Sequence, residues 1–177
     1  MSNRPRRDPF QRRDRRSPDP MNGLFNFGYY LLFTRLNTLV RAAGLNPYLG
    51  FLHDGDDDYE SLVCDIEELF RAPVDRLLLS LVNLRVIRAE DFRKTASGPR
   101  LRPDAVSRFL LHFEDMLHAV VGGVTLLGAM EAQVEAFRRY VTGEQPLWFY
   151  RYRSAPEPLS PGNDPPDDTA TAAPEPS

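Results

Sequence analysis

His53, Asp65 and Glu68 are the residues whose types and spacing could do chemistry. Asp65 and Glu68 stand three residues apart, which on a helix puts both carboxylates on one face and within reach of a single ion. His53 lies shortly upstream, at the mouth of the acidic loop Asp54-Gly55-Asp56-Asp57-Asp58. A neutral imidazole with one or two carboxylates and open water positions suits Mn²⁺ or Mg²⁺ in phosphodiester chemistry, where the ion stabilises charge on phosphate and activates a hydroxyl nucleophile. On spacing alone, a surface histidine beside a solvated acidic helix face accounts for the same residues. The loop lacks the later bidentate glutamate of a twelve-residue calcium site, so it reads as a surface loop beside the site.

The elements that must position these groups follow from apolar periodicity. Leu24, Phe25, Phe27, Gly28, Leu31, Leu32, Leu36, Leu39 and Val40 recur at helical spacing after the stiff Pro18-Asp19-Pro20, which predicts a long amphipathic helix ending at a Gly44 cap. Gly44-Leu45-Asn46-Pro47 turns the chain into a short apolar segment, Tyr48 to His53. A second helix begins near Tyr59 to Ser61, carries Leu62, Ile66, Leu69 and Phe70, is interrupted near its middle by Pro73, and continues from Val74 to Asn83. After a short turn at Asp91-Phe92 and a break at Gly98-Pro99, Pro103 opens a helix through Phe113 and Leu117. A last helix runs from Thr125 to Val141 and stops at Gly143. No segment alternates like a strand, so the expected fold class is all-α over residues 21–153.

The ends differ in composition from this centre. Residues 1–20 carry Arg4, Arg6, Arg7, Arg12, Arg13, Arg15 and Arg16 with almost nothing apolar, and are expected to form a disordered basic arm. Residues 154–177 are rich in Pro, Ala, Thr, Asp and Glu, and are expected to be a disordered acidic tail. The net charge of −3 therefore averages a basic front and an acidic back. Lys94 is the only lysine; the arginine bias suits bidentate phosphate contacts and equally reflects the base composition of a gene. Cys64 is alone, which excludes an internal disulfide. With no leader at the start, and an apolar stretch around 117–130 too short and glycine-rich to span a bilayer, a cytoplasmic location is expected.

Several runs together resemble the helical catalytic half of the CRISPR-associated integrase family that captures spacers. Arg15-Arg16-Ser17-Pro18-Asp19-Pro20-Met21-Asn22 resembles the family's basic Pro-Asp-Pro-x-Asn segment, and Asn22 to Leu32 its N-x-x-L-x-F-G-Y helix. The most specific run is Gly44-Leu45-Asn46-Pro47-Tyr48-Leu49-Gly50-Phe51-Leu52-His53, similar to G-L-x-P-x-x-G-F-L-H, whose histidine binds metal in the family. Ser61 to Arg71 resembles S-L-x-x-D-x-x-E-x-F-R, followed by Pro73-Val74-Asp75-Arg76. Weaker similarity carries the resemblance over roughly residues 12–150.

The resemblance implies a divalent-metal-dependent DNA endonuclease and integrase that inserts spacer DNA into CRISPR arrays by phosphoryl transfer. It implies His53 and Glu68 as metal ligands for Mg²⁺ or Mn²⁺, and Asp65 as a further acidic contact or the group that orients a ligand. It also implies double-stranded DNA, the small second adaptation protein and a second copy of the chain as partners. Arg12, Arg13, Arg15, Arg16, Asn22, Arg71 and Arg76 are the candidates for touching nucleic acid. In the family another metal-binding glutamate lies upstream of the Pro-Asp-Pro segment, whereas residues 1–21 contain no glutamate, so an incomplete site is expected. The rival readings are a catalytically incomplete remnant that binds DNA or partner subunits, and an unrelated helical nucleic-acid-binding module.

The remaining candidates have plainer readings. Glu67 points away from the other acids and is expected to be solvated, and Asp65 could instead pair with Arg71 or Arg76. His112 and His118 share a helix with Phe109, Leu110 and Phe113 and read as surface or boundary residues. Tyr29 and Tyr30 could touch DNA or support His53, although aromatics at helical spacing more often build a core.

Overall fold

A computed structural model of the chain describes residues 19–52, 59–95 and 98–152. The disordered arm and tail expected at the ends, the acidic loop and His53 itself lie wholly or almost wholly outside those residues. The helices are α1 (Pro20–Ala42), α2 (Ser61–Glu68), α3 (Arg71–Asn83), α4 (Pro103–His118) and α5 (Leu126–Val141).

Helix α1 is the spine. Asp19 is its N-cap, with the side chain accepting from the Met21 N–H at 3.0 Å, and Pro20 follows where its missing N–H costs nothing. Leu24, Gly28, Leu32, Leu36 and Val40 are buried at four-residue spacing, and along that stripe α1 packs against α2, α3 and α5. It ends in a Schellman motif: the Gly44 N–H reaches the Arg41 carbonyl, the Leu45 N–H reaches that of Val40, and Gly44 takes φ 72°. α3 ends the same way, with Arg85 in the left-handed position at φ 57°. α4 buries Ala105, Phe109, Phe113 and Leu117, completing a core that includes Phe70, Leu78, Ile87 and Met130.

Two expectations are corrected. The second helix breaks not at Pro73 but at Leu69 and Phe70, where the amides turn back to the carbonyls of Ile66 and Glu67 three residues earlier. Pro73 then falls in the first turn of α3, the one place in a helix that makes no demand on its nitrogen. The fold is also not purely helical. Phe92–Thr95 (β1) and Gly98–Leu101 (β2) form an antiparallel pair, as do Val120–Val121 (β3) and Val124–Thr125 (β4). β3 and β4 flank Gly122 and Gly123, both at positive φ, the backbone that a tight two-residue hairpin requires. Both pairs are too short to show period-two alternation. Among the described residues, no helix is long and apolar enough to cross a membrane.

The β1–β2 pair is held against the start of α1. A Cβ added at Gly23 would lie 2.8 Å from the Pro99 carbonyl oxygen, a backbone atom that cannot swing aside. Asp91 fixes the other side, accepting from the Arg88 amide at 2.8 Å and the Arg108 guanidinium of α4 at 2.6 Å. Gly23→Ala should therefore destabilise the fold by about 1–3 kcal/mol despite alanine's better helix propensity. Urea unfolding checks this, and a stabilised variant would show that β2 does not abut α1.

Candidate active site

Asp65 lies in the second turn of α2 and is 1% exposed. Its Oδ2 accepts two backbone N–H groups, from Phe51 at 2.6 Å and Leu52 at 2.9 Å. These amides immediately precede His53. A buried carboxylate is costly unless its oxygens are bonded, and bonds to a charged acceptor are the stronger kind. Asp65 thus tethers the histidine-bearing segment to the helix that ends in Glu68. The turn upstream is prepared for this: the Asn46 side chain accepts from the Tyr48 N–H at 3.1 Å, and the Pro47 carbonyl accepts from Leu62 in the first turn of α2 at 2.9 Å.

Glu68 is the last residue of α2, and its side chain is 44% exposed. The Arg71 Nη1 pairs with it at 2.5 Å. The same guanidinium lies over the Tyr29 ring, 5.0 Å from its centroid, and the Tyr29 hydroxyl donates to Asp75. Glu67, expected to be solvated, is 4% exposed, because the face of α2 it occupies is closed over by the rest of the fold. Its Oε1 sits 3.7 Å from the Arg71 Nε, too far for a hydrogen bond, and neither atom has a hydrogen-bond partner among the described residues. Burial pushes the Glu67 carboxyl up to about 7, with the Arg71 charge pulling the other way.

The other candidates separate. Asn22 is 8% exposed inside the first turns of α1, so its side chain has little surface to offer a phosphate. Arg76 is exposed and engaged with Tyr152, donating to the hydroxyl at 3.4 Å with its guanidinium 5.8 Å from the ring centre. Arg12, Arg13, Arg15 and Arg16 lie outside the described residues. On α4, His112 is half-buried, while His118 is exposed and has its Nδ1 2.9 Å from the Glu114 carbonyl oxygen. Tyr30 is 62% exposed.

For a metal, the described residues hold no group of three or more His, Cys, Asp and Glu side chains. Asp65 has one oxygen committed to two amides. Glu68 presents a hard anionic oxygen of the kind that suits Mg²⁺ or Mn²⁺ at the surface, paired in this structure with Arg71.

Sequence reasoning missed the segment that covers this region. After α5 the chain returns as residues 147–152 without regular structure. The Gln133 side chain of α5, 1% exposed, clamps it by donating to the Trp148 carbonyl at 3.0 Å and accepting from the Tyr150 N–H at 2.6 Å. Tyr150 stacks on Phe70 at 4.7 Å and 13°, while Phe51 meets both Phe149 at 5.8 Å and Phe137 at 5.6 Å. The run Leu147-Trp148-Phe149-Tyr150 was the available signal, since so many large rings at the end of a domain need something to cover.

Fold and site together define a helical domain in which a buried acid anchors a histidine-bearing segment beside a second, accessible acid. The family model for CRISPR associated protein Cas1 matches residues 4–115, and the chain belongs to that family. The CRISPR-associated endonuclease Cas1 3 of Thermus thermophilus is 35% identical over 147 residues, covering 78% of this chain and 44% of the relative. A solved Cas1 protein from Thermotoga maritima superposes with TM-score 0.71 at 31% identity, covering 80% of this chain and 46% of that one. A casposase bound to its integration product gives TM-score 0.68 at 28% identity, over 74% of this chain and 38% of that one. The chain thus spans less than half the length of these relatives.

Two outcomes follow from this geometry. Asp65→Ala leaves two amides without their acceptor and should cost about 2–4 kcal/mol in denaturant unfolding, with faster amide exchange at Phe51 and Leu52; unchanged exchange there would refute the tether. Glu67 binds its proton more tightly folded, at about 7, than at its ordinary 4.5, so the stability it contributes is full below pH 4.5 and is lost as pH rises towards 7. Relative to Glu67→Gln, wild-type stability should fall across that window by at most about 3 kcal/mol. A difference that stays flat with pH, read by urea titration from pH 4 to 8, would contradict this.

Proposed function

We propose that this chain supplies the histidine-and-acid part of a metal-dependent DNA endonuclease and integrase that inserts spacer DNA into CRISPR arrays. The observation that carries the reading is the Asp65 tether, which ties the backbone just before His53 to the helix ending in Glu68. In this reading His53 and Glu68 hold a Mg²⁺ or Mn²⁺ ion. That ion supplies charge stabilisation at the phosphate and activation of the attacking hydroxyl. Phosphoryl transfer asks little covalent chemistry of the protein, so holding the groups in place is the main task. Asp65 does that through the backbone.

The reaction is the attack of a DNA 3′-hydroxyl on a phosphodiester of the repeat, with the new P–O bond replacing the one that breaks and the leaving oxygen taking up a proton. Arg71 moves from Glu68 to a phosphate oxygen when DNA arrives, because its fork of donors suits phosphate as well as carboxylate. Arg76 and the basic arm from Arg12 to Arg16 add phosphate contacts that weaken with salt. Family membership, relatives named as endonucleases and a related casposase bound to its integration product support this reading. The partners in this reading are double-stranded DNA, a second copy of the chain and the small second adaptation protein of the family.

Calorimetric titration of the chain with Mn²⁺ tests the ligand assignment. His53→Ala and Glu68→Ala should each weaken binding at least tenfold, about 1.4 kcal/mol or more. Equal binding by wild type and both variants would refute the assignment, and salt-sensitive DNA binding that ignores Mn²⁺ would point to a binding module instead.

A further inference from the structure

The segment over residues 147–152 makes contacts that set it apart from a loosely packed chain end. Its backbone is held by a side chain, not by a neighbouring strand. Gln133 uses both halves of its amide, donor to the Trp148 carbonyl and acceptor from the Tyr150 N–H, from a position that is 1% exposed. A buried amide is costly unless both halves are bonded, so this clamp has one orientation. The rings it sets in place reach the two segments that carry the candidate ligands. Phe149 meets Phe51, two residues before His53, and Tyr150 stacks on Phe70, two residues after Glu68. Phe51 is also the residue whose N–H bonds to Asp65, and its ring rests on Phe137 of α5, one turn beyond Gln133. One strap therefore packs on both Phe51 and Phe70.

We propose that this strap, locked by Gln133, is a positioning element that fixes the Phe51–Leu52 backbone relative to the end of α2. The inference rests on the metal-binding reading for its consequence but not for its mechanics. Asp65 holds the backbone of residues 51 and 52 through hydrogen bonds. The strap adds a side-chain hold on the same segment, through Phe51, and bears on the break after α2 through Phe70. Without it, the Phe51 ring loses one of its two aromatic neighbours and the Phe70 face opens to water, so the two ligand-bearing segments move independently.

The test compares Tyr150→Ala, the milder Phe149→Ala at a half-exposed position, and Tyr150→Phe, which keeps the stacked ring. Hydrogen exchange is read at the Phe51 and Leu52 amides and across α1 and α4, alongside Mn²⁺ titration. Both alanine variants should speed exchange at Phe51 and Leu52 about tenfold and weaken Mn²⁺ binding by a similar factor, while α1 and α4 keep their protection. Tyr150→Phe should stay within twofold of wild type in both readouts. Unchanged exchange at Phe51 and Leu52 in the alanine variants would overturn the proposal, as would an equal loss of protection throughout α1 and α4, which marks general destabilisation. Should Tyr150→Ala fail to fold, Phe149→Ala decides by the same criteria. If wild type binds no Mn²⁺, the metal reading falls, and the exchange rates alone still decide for or against the strap.

Discussion

A carboxylate withdrawn from water must be given donors in return, and among the described residues Asp65 takes them from main-chain amides fourteen and thirteen residues earlier. That arrangement fixes the backbone of Phe51 and Leu52 against α2. The rest of the site is built around it. The Asn46 turn and the Pro47 carbonyl place the segment where Asp65 can reach it, and α2 is buried on nearly every face from Ser61 to Glu67, so the acid has no freedom to look elsewhere. Glu68, one turn further, falls where α2 emerges from the core and is accessible for the same geometric reason that Asp65 is not.

The larger fold serves this corner. α1 supplies the wall against which α2 and α3 pack, and Gly28 lets α3 come close: a Cβ there would stand 3.0 Å from Val74 and 3.3 Å from Leu78. The break between α2 and α3 is set by backbone amides that shorten their reach from four residues to three. It redirects α3 so that Arg71 comes back over Tyr29 and meets Glu68. Arg71 thus lies between an accessible acid that it meets at 2.5 Å and a buried one whose Oε1 is 3.7 Å from its Nε.

Much of this was legible from residue order. The stripe Leu24, Gly28, Leu32, Leu36, Val40 announced α1, Gly44 its end, and the Gly44 to His53 run announced the family. Asp65 was expected to be either an acidic contact or a group that orients a ligand, and its bonds to two amides were not foreseen. What was not legible has physical causes. Pro73 disguised the position of the break, because proline is tolerated in a first turn as readily as it disrupts a middle. Glu67 looked solvated because its burial is imposed by neighbours distant in sequence. Nothing local to Gln133 marks it as a clamp, since its partners lie fifteen and seventeen residues later in a segment with no periodicity of its own.

The Asp65 tether has one more property. It recognises peptide groups and ignores the side chains they carry, so it places no demand on which residues stand at positions 51 and 52 beyond the presence of an N–H. At Leu52, 68% exposed, a change of side chain leaves the bond to Asp65 intact, whereas proline at either position would remove a donor. The hydrogen-bonded part of the anchor is therefore indifferent to side-chain change at its own donors, and only the ring contacts of Phe51 with Phe137 and Phe149 make that position particular about its residue.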